Sequence, residues 1–211
     1  MIWHIGYIKN ASTFLQRDIF PKLENVKYFT TDLKNINDKP VPNMINLFSH
    51  ENMAGDMTHS TAKKGFEKLD KLKRNFPEAK ILLIYRNKNR WVKSVYNQYV
   101  KEGGKYSFSK WFERVFDTEF LDYESMFSYL KNNFKQVLIL PFELLIEDHK
   151  TFVEKLCKFI GAPVPEYKNV VRGRSLSRPM LAGVRLINHF NIKLNRPYRW
   201  IDQTLWRKKI G

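Results

Sequence analysis

Short apolar runs alternate with amphipathic stretches along most of the chain. The apolar runs that predict β-strands lie at residues 2–7, 26–31, 44–49, 80–85 and 137–141. The stretches with helical spacing lie at residues 12–20, 61–76, 89–102, 108–116, 122–134 and 149–160, and Gly161 follows the last as a C-cap. Because the strands are rich in Ile, Leu and Val and helices separate them, we predict an α/β fold with a central parallel sheet and helices on both faces.

The length of the chain suits one domain with a substantial core, and no internal repeat interrupts the pattern. We predict a single domain over residues 1–211, with a basic helical extension at residues 180–211. The single cysteine, Cys157, excludes a disulfide framework, and its helical spacing places it in the core. No apolar run reaches about 18 residues, and a core strand follows Met1 almost at once, so we expect a cytoplasmic protein without a signal peptide.

The formal net charge of the chain is +16. One interpretation is a solvated basic surface; the other is an anionic partner, such as a nucleotide, a nucleic acid, an acidic glycan or a membrane surface. Charge alone does not choose among these, so the choice depends on local motifs.

The loop after the first predicted strand suits an anion. It carries Lys9 and two hydroxyl side chains, Ser12 and Thr13, immediately before a predicted helix. The N–H groups of such a loop and the helix N-terminus point at one spot, where the helix dipole favours negative charge. Lys9 adds a full positive charge, and the hydroxyls donate hydrogen bonds or cap the helix.

Polar residues follow three of the predicted strands, at the edge where α/β sheets bind ligands. Lys9 follows the first strand, His50 and Glu51 follow the third, and Arg86 follows the fourth. A guanidinium group matches the oxygens of a phosphate, and Ser94 lies eight residues after Arg86 in the next predicted helix. Each residue alone is compatible with an ordinary solvated loop, but together they favour a binding site.

The order of these motifs resembles that of the PAPS-dependent sulfotransferases. The stretch GYIKNASTFLQ is similar to the family's 5′-phosphosulfate loop, usually Lys-Thr-Gly-Ser/Thr-Thr, often with Ala in place of Gly in bacterial members. Arg86 with Ser94 resembles the 3′-phosphate motif. Residues 137–161 resemble the strand and helix that follow it, and residues 171–179 resemble the late basic loop. The resemblance covers most of residues 2–179 and implies a P-loop-like sulfotransferase fold.

The chain departs from the family pattern at a few positions. Ile8 replaces the usual Pro before the lysine, and Asn10 replaces the usual Thr after it. Asn still donates a hydrogen bond, so we expect binding to survive. The Gly-x-x-Gly-x-Trp-Lys loop of cytosolic small-molecule members is absent from the sequence, which favours the bacterial and carbohydrate-sulfotransferase-like branch.

The resemblance implies transfer of the sulfuryl group of 3′-phosphoadenosine 5′-phosphosulfate (PAPS) to a hydroxyl or amine, in a saccharide, glycoconjugate or glycolipid acceptor. The donor-binding residues that it implies are Lys9, Asn10, Ala11, Ser12, Thr13, Arg86 and Ser94, with Arg174 and Ser175 adding to the 3′-phosphate clamp. Lys9 would also neutralise charge on the bridging oxygen. We expect no metal, because Lys and Arg supply the positive charge.

Two neighbouring residues compete for the role of catalytic base. Glu51 occupies the position where glycan and tyrosyl members often place a catalytic glutamate, whereas His50 has the pKa better suited to neutral pH. In an extended chain the two side chains point to opposite faces, so we expect one of them to reach the site. We rank Glu51 first and leave the choice open. His4, inside the first strand, is expected to be buried and hydrogen-bonded.

Residues 180–211 alternate basic and aromatic side chains. They predict either a surface for acidic glycan or anionic lipid headgroups, which would give peripheral membrane contact, or a final helix packed on the core. We favour the packed helix for residues 181–190 and leave the last fifteen or so residues open.

Two other functions compete with sulfuryl transfer. A P-loop-type nucleotide kinase or hydrolase lacks support, because the pattern G-x-x-x-x-G-K-[ST] is missing after Gly6. A non-catalytic polyanion-binding domain is compatible with the charge. No nucleic-acid motif is present in the sequence, so we expect no nucleic-acid partner.

Overall fold

Five parallel strands form the central sheet of the protein, in the order β2-β3-β1-β4-β5. The computed structural model of the chain describes residues 1–30, 40–55, 61–168 and 176–190. The strands are β1 (Ile2–Gly6), β2 (Val26–Thr30), β3 (Ile45–His50), β4 (Lys80–Tyr85) and β5 (Gln136–Pro141). The predicted α/β fold with a parallel sheet is confirmed. Because β1 is central, the loop that follows it emerges between the ends of β3 and β4.

Helices connect the strands. They are α1 (Ser12–Phe14), α2 (Ala62–Asn75), α3 (Lys88–Lys101), α4 (Phe108–Arg114), α5 (Tyr123–Asn133), α6 (Phe142–Glu147), α7 (His149–Ile160) and α8 (Arg178–His189). The helix predicted at residues 12–20 is not uniform: α1 passes into a π-helical turn, Leu15–Ile19, and then into a 3₁₀ turn, Phe20–Lys22. Helix α6 was not predicted, because six residues are too short to show helical periodicity.

One face of the sheet packs on the helices that follow β1 and β5. Its core contains apolar side chains from the strands, the first helical segment, α6 and α7, among them Ile2, Leu15, Leu82 and Phe152. Cys157 is buried in this cluster as a free thiol, as predicted. Helix α7 ends at Gly161, whose left-handed conformation (φ 87°) fits the predicted C-cap.

The opposite face is lined by aromatic rings. Trp3 of β1 stacks on Phe48 of β3 with ring centroids 4.7 Å apart, and Phe48 stacks on Phe29 of β2 at 4.5 Å. At the other end of β1, Tyr7 contacts Trp91 of α3 and Tyr123 of α5. The rings of Tyr7, Trp91 and Tyr123 cover the end of β1 from which the Lys9 loop emerges.

The chain forms two compact units. The first comprises residues 1–92 and 117–174 and holds the whole sheet. The second comprises residues 93–116 and 175–211, and its described part contains most of α3 together with α4 and α8. The prediction of one domain with an extension at residues 180–211 stays a prediction.

The second unit has an aromatic core of its own. Trp111 of α4 is fully buried and contacts Tyr96 of α3. On α8, Val184 is buried and Asn188 donates hydrogen bonds to the carbonyls of Val100 and Gly104. Helix α8 therefore joins this unit through Val184 and Asn188, whereas Leu186 and Phe190 are exposed, and the predicted packing of residues 181–190 on the core stays a prediction.

The described helices contain none that is long and apolar enough to cross a membrane.

Gly65 allows α2 to approach the turn that follows β3. A Cβ atom at Gly65 would overlap the carbonyl group of Ala54. We expect Gly65→Ala to lower the free energy of unfolding by about 1–3 kcal/mol, because backbone has to move to make room. Thermal and denaturant unfolding measure this change.

Gly183 supplies the matched control. It lies inside α8, and a Cβ atom there would have no neighbour within 4 Å among the residues that the structure describes. Gly183→Ala should raise the free energy of unfolding by roughly 0.5–1 kcal/mol through helix propensity. Equal effects of the two substitutions would contradict the close approach at Gly65.

Candidate active site

Two hydrogen bonds hold the loop between β1 and α1 against its neighbours. The Asn10 side chain donates from Nδ2 to the carbonyl of Ile84 on β4 over 3.0 Å, and the indole Nε1 of Trp91 donates to the carbonyl of Ile8 over 3.0 Å. Asn10 and Trp91 are both buried, so water does not compete for these bonds. The loop therefore has a defined shape at the carboxyl end of the central strand.

The loop backbone adopts left-handed conformations at two positions. Lys9 has φ 67° and Ala11 has φ 66°. Ala11 occupies the N-cap of α1, and its side chain makes no capping hydrogen bond. Non-glycine residues seldom adopt this region, and such strain often accompanies a functional site.

Ser12 places a buried hydroxyl at the start of α1. Among the residues that the structure describes, Ser12 Oγ has no hydrogen-bond partner. A buried hydroxyl without a partner is costly, and a bound anion would accept a hydrogen bond from it. Thr13 is exposed at the next position. The loop thus fits an oxyanion ligand, and its role as a donor site stays a prediction.

Arg86 lies next to this loop, as the sequence predicted. Its guanidinium group donates a long hydrogen bond of 3.5 Å to the Lys9 carbonyl and lies 4.5 Å from the centroid of the Phe142 ring. Burial lowers the pKa of Arg86, and the nearby Glu143 carboxylate opposes this shift. Within the described residues, Arg86 Nε is buried without a partner, so it can donate to a bound phosphate.

The placement of the other predicted 3′-phosphate residues neither supports nor contradicts the predicted clamp. Ser94 is buried on α3, in the second unit. Arg174 and Ser175 lie outside the described residues. The pairing of these three residues with Arg86 stays a prediction.

The two candidate bases occupy different environments at the end of β3. His50 is the last residue of the strand, not part of the loop after it, and its buried ring accepts a hydrogen bond at Nδ1 from the Asn52 N–H over 3.1 Å. Glu51 is half-buried in the following turn. Burial raises the pKa of Glu51, and the positive charge of Lys9 opposes this shift. Glu51 therefore lies within the electrostatic field of the Lys9 loop.

The sheet order brings Lys9, Arg86 and Glu51 to one edge, because β1 lies between β3 and β4. The sequence analysis did not identify Trp91 or Glu143 as parts of this edge. Glu143 accepts a hydrogen bond from the Asn87 N–H over 3.1 Å and so supports the turn after Arg86. Neither residue belongs to a local motif, so no signal in the sequence indicated the contact.

Comparison with known proteins identifies the family. The sulfotransferase family model matches residues 22–166, more than half of the chain. The chain belongs to the sulfotransferase family. The matched range of this sulfotransferase includes Glu51, Arg86 and Ser94, and it begins after the loop that carries Lys9. No curated protein sequence matches the chain.

Two solved sulfotransferase structures have a similar fold. The crystal structure of a sulfotransferase from Alicyclobacillus acidocaldarius is 17% identical, with a TM-score of 0.56 and coverage of 95% of each chain. The crystal structure of mouse sulfotransferase SULT7A1 complexed with PAP is 14% identical, with a TM-score of 0.55, and covers 89% of this chain and 63% of that chain. The prediction of a sulfotransferase fold is confirmed, whereas the bacterial and carbohydrate branch stays a prediction.

The described residues contain no group of three or more His, Cys, Asp or Glu side chains that could hold a metal ion.

The left-handed conformation of Ala11 leads to a test of the loop. Ala11→Gly removes the contact between Cβ and the carbonyl oxygen that disfavours positive φ, so we expect the free energy of unfolding to rise by up to about 1 kcal/mol. Ala11→Val should lower it, because a β-branched residue tolerates positive φ still less. Denaturant unfolding of the three proteins measures both changes, and a lower stability of Ala11→Gly would contradict the loop geometry.

Proposed function

We propose that this sulfotransferase uses PAPS as donor and transfers its sulfuryl group to a hydroxyl or amine of an acceptor. The observation that carries the proposal is the contact between Arg86 and the Lys9 loop, which joins two separate cationic residues at one edge of the sheet. PAPS carries a phosphosulfate at the 5′ position of its ribose and a phosphate at the 3′ position, so it requires two such positive sites. The unpartnered Ser12 hydroxyl and Arg86 Nε support the same ligand.

Each loop residue has a separate role in the proposed donor complex. The N–H groups after Lys9 and the hydroxyls of Ser12 and Thr13 bind the 5′-phosphate and sulfate, and the Lys9 ammonium pairs with the bridging oxygen. Asn10 contributes by shaping the loop, since its amide is already bonded to Ile84.

Residues 86, 94, 174 and 175 bind the 3′-phosphate in this proposal. Arg86 supplies the charge of this set within the described residues, and its stacking on Phe142 holds the guanidinium plane. Ser94, Arg174 and Ser175 enter the proposal through the resemblance of their motifs.

Transfer requires positioning and charge stabilisation more than covalent catalysis. The acceptor oxygen or nitrogen forms a bond to sulfur while the bond from sulfur to the bridging oxygen breaks, and the electron pair of that bond stays with 3′-phosphoadenosine 5′-phosphate (PAP). Lys9 neutralises the charge that grows on the bridging oxygen. The acceptor proton passes to the catalytic base. No metal is needed in this scheme, because Lys9 and Arg86 supply the positive charge.

Glu51 is the base in this proposal. It lies in the field of Lys9, and its raised pKa brings it nearer to the pH at which it has to accept a proton. His50 Nδ1 already accepts a hydrogen bond from the Asn52 N–H, so that nitrogen is engaged.

The acceptor is proposed to be a saccharide, glycoconjugate or glycolipid. The net charge of +16 supports an anionic acceptor, and the basic, aromatic residues 191–211 support contact with anionic glycan or lipid headgroups. Screening of acceptors with labelled PAPS identifies the class directly.

Arg86 provides the test of donor binding. Arg86→Gln should weaken the binding of PAP by about 10- to 100-fold while leaving the binding of AMP, which has no 3′-phosphate, unchanged. Arg86→Lys keeps the positive charge but loses the planar guanidinium group. Its affinity for PAP should therefore lie between those of the unchanged protein and Arg86→Gln. Titration calorimetry measures all three proteins with both nucleotides.

Two outcomes would contradict this proposal. Equal losses for PAP and AMP would show that Arg86 does not recognise the 3′-phosphate. Preference of the unchanged protein for ATP with Mg²⁺, or for a polyanion alone, would remove the PAPS-dependent function itself.

Glu51→Gln tests the base through both rate and stability. Turnover should fall by about 10²-fold or more, because the amide cannot accept the proton, while the Kd for PAP should stay nearly constant.

Since folding raises the pKa of Glu51 above its ordinary value of 4.5, its stabilising contribution is present below that pH and is lost as the pH rises through the folded pKa. Glu51→Gln should therefore be more stable than the unchanged protein at pH 7, and this gain should disappear in acid.

His50→Gln is the matched comparison. If this variant loses turnover at constant PAP affinity and Glu51→Gln does not, the base is His50. Stopped assays with saturating donor and pH-dependent unfolding supply both readouts.

A further inference from the structure

A polar pair lies inside the apolar layer on one face of the sheet. His4 of β1 and Ser49 of β3 are register partners, and both side chains are buried. His4 Nδ1 lies 2.7 Å from Ser49 Oγ. Their neighbours two residues earlier on the same strands are Ile2 and Leu47, which belong to the apolar core. The hydrogen bond therefore satisfies polar groups that water does not reach.

His4 acts in this pair as a neutral hydrogen-bonding group. Burial lowers the pKa of His4 to about 3, so the imidazole carries no charge at physiological pH. The sequence-based expectation of a buried, hydrogen-bonded His4 is confirmed. A fixed neutral ring holds the Ser49 hydroxyl in place without titrating during the reaction.

Gln16 connects this pair to the helix that follows the Lys9 loop. Its Nε2 atom donates a hydrogen bond of 3.0 Å to Ser49 Oγ. Gln16 lies in the π-helical turn Leu15–Ile19, a rare geometry that often occurs at functional sites. The loop and its helix are thus tied to β4 through Asn10 on one side and to β3 through Gln16 on the other.

Ser49 is also close in sequence to the proposed base. It lies on β3 one residue before the strand ends at His50, and Glu51 follows in the turn. The charge of Glu51 acts on Lys9 and on Tyr28 of β2, which contributes to the same side of the sheet. A displacement of Ser49 relative to the loop helix would therefore move Glu51 relative to Lys9.

We propose that Gln16 is a positioning residue for sulfuryl transfer, which sets the separation between the Glu51 carboxylate and the Lys9 loop through its hydrogen bond to Ser49. The inference rests on the proposed function, because it needs Glu51 as the base and the Lys9 loop as the donor site. Gln16 belongs to neither the donor-binding set nor the reacting groups, so its effect falls on turnover and not on donor affinity.

Gln16→Met tests this role, because it keeps the length of the side chain and removes the donor N–H. We expect kcat to fall by about tenfold or more, since small displacements of a reacting group are costly. The Kd for PAP should change by less than about twofold, because Gln16 does not belong to the proposed donor-binding residues. The acid limb of the pH–rate profile should move to higher pH, because Glu51 loses part of the stabilising field of Lys9.

Ser49→Ala removes the other partner of the same hydrogen bond and should reproduce these effects. The double variant should be no slower than Ser49→Ala alone, because Gln16→Met breaks a hydrogen bond that Ser49→Ala has already removed together with the bond to His4. Gln98→Met is the matched control: Gln98 of α3 donates an exposed hydrogen bond of 2.7 Å to Glu102, and its loss should leave kcat, the Kd for PAP and the pH profile unchanged.

The outcomes separate this inference from the proposed function. Failure of the unchanged protein to bind PAP would end the proposed function before Gln16 is tested. The positioning role would be overturned if Gln16→Met and Ser49→Ala fold, bind PAP normally, and keep the kcat and the acid limb of the pH–rate profile of the unchanged protein. Loss of folding in both variants would also overturn it, because the hydrogen bond would then serve the fold and not the reaction.

Discussion

The hydrogen bond from the Asn10 side chain to the Ile84 carbonyl is the contact on which the candidate site depends most. Ile84 is the register partner of Gly6, so the ends of β1 and β4 already lie side by side. Asn10 then turns the chain over β4 and holds the left-handed conformations of Lys9 and Ala11. A loop of this sequence would seldom keep such a shape alone, so the sheet supplies the energy that orders it.

This ordering concentrates charge in surroundings with little water. The Arg86 guanidinium is partly buried against Phe142, and the Ser12 hydroxyl is buried without a partner among the described residues. Both arrangements destabilise the protein by itself and favour an anionic ligand, which would restore the lost solvation. Burial has two such effects on Glu51. It lowers the stability of the protein, and it raises the pKa of the carboxyl group, which makes the carboxylate a better base.

The two faces of the sheet have different neighbours at the end of β3. Phe48 and His50 alternate with Leu47 and Ser49, and Phe48 stacks on the aromatic rings of its face. Ser49 lies on the face that carries the loop helix, where it accepts the hydrogen bond from Gln16. The side of β3 that contributes Leu47 to the apolar core thus also binds the loop helix through Ser49.

Local patterning determined most of the architecture. The apolar runs of the strands, the amphipathic helices and the C-cap at Gly161 are properties of neighbouring residues, and all five strands were located to within about two residues, the usual precision of element ends. The cationic loop after β1 was visible for the same reason, since its residues are contiguous. The short helix α6 and the π-helical turn were not visible, because they are too short or too irregular to give a periodic signal.

The tertiary structure alone decided which residues meet. Strand order places β1 between β3 and β4, and this order is what brings Arg86 to Lys9 and Gln16 to Ser49, across separations of 77 and 33 residues. It also decided that Glu51 lies in the field of Lys9. Sequence patterns report on neighbours along the chain, whereas these contacts arise from the pairing of distant strands, for which a single sequence carries no direct signal.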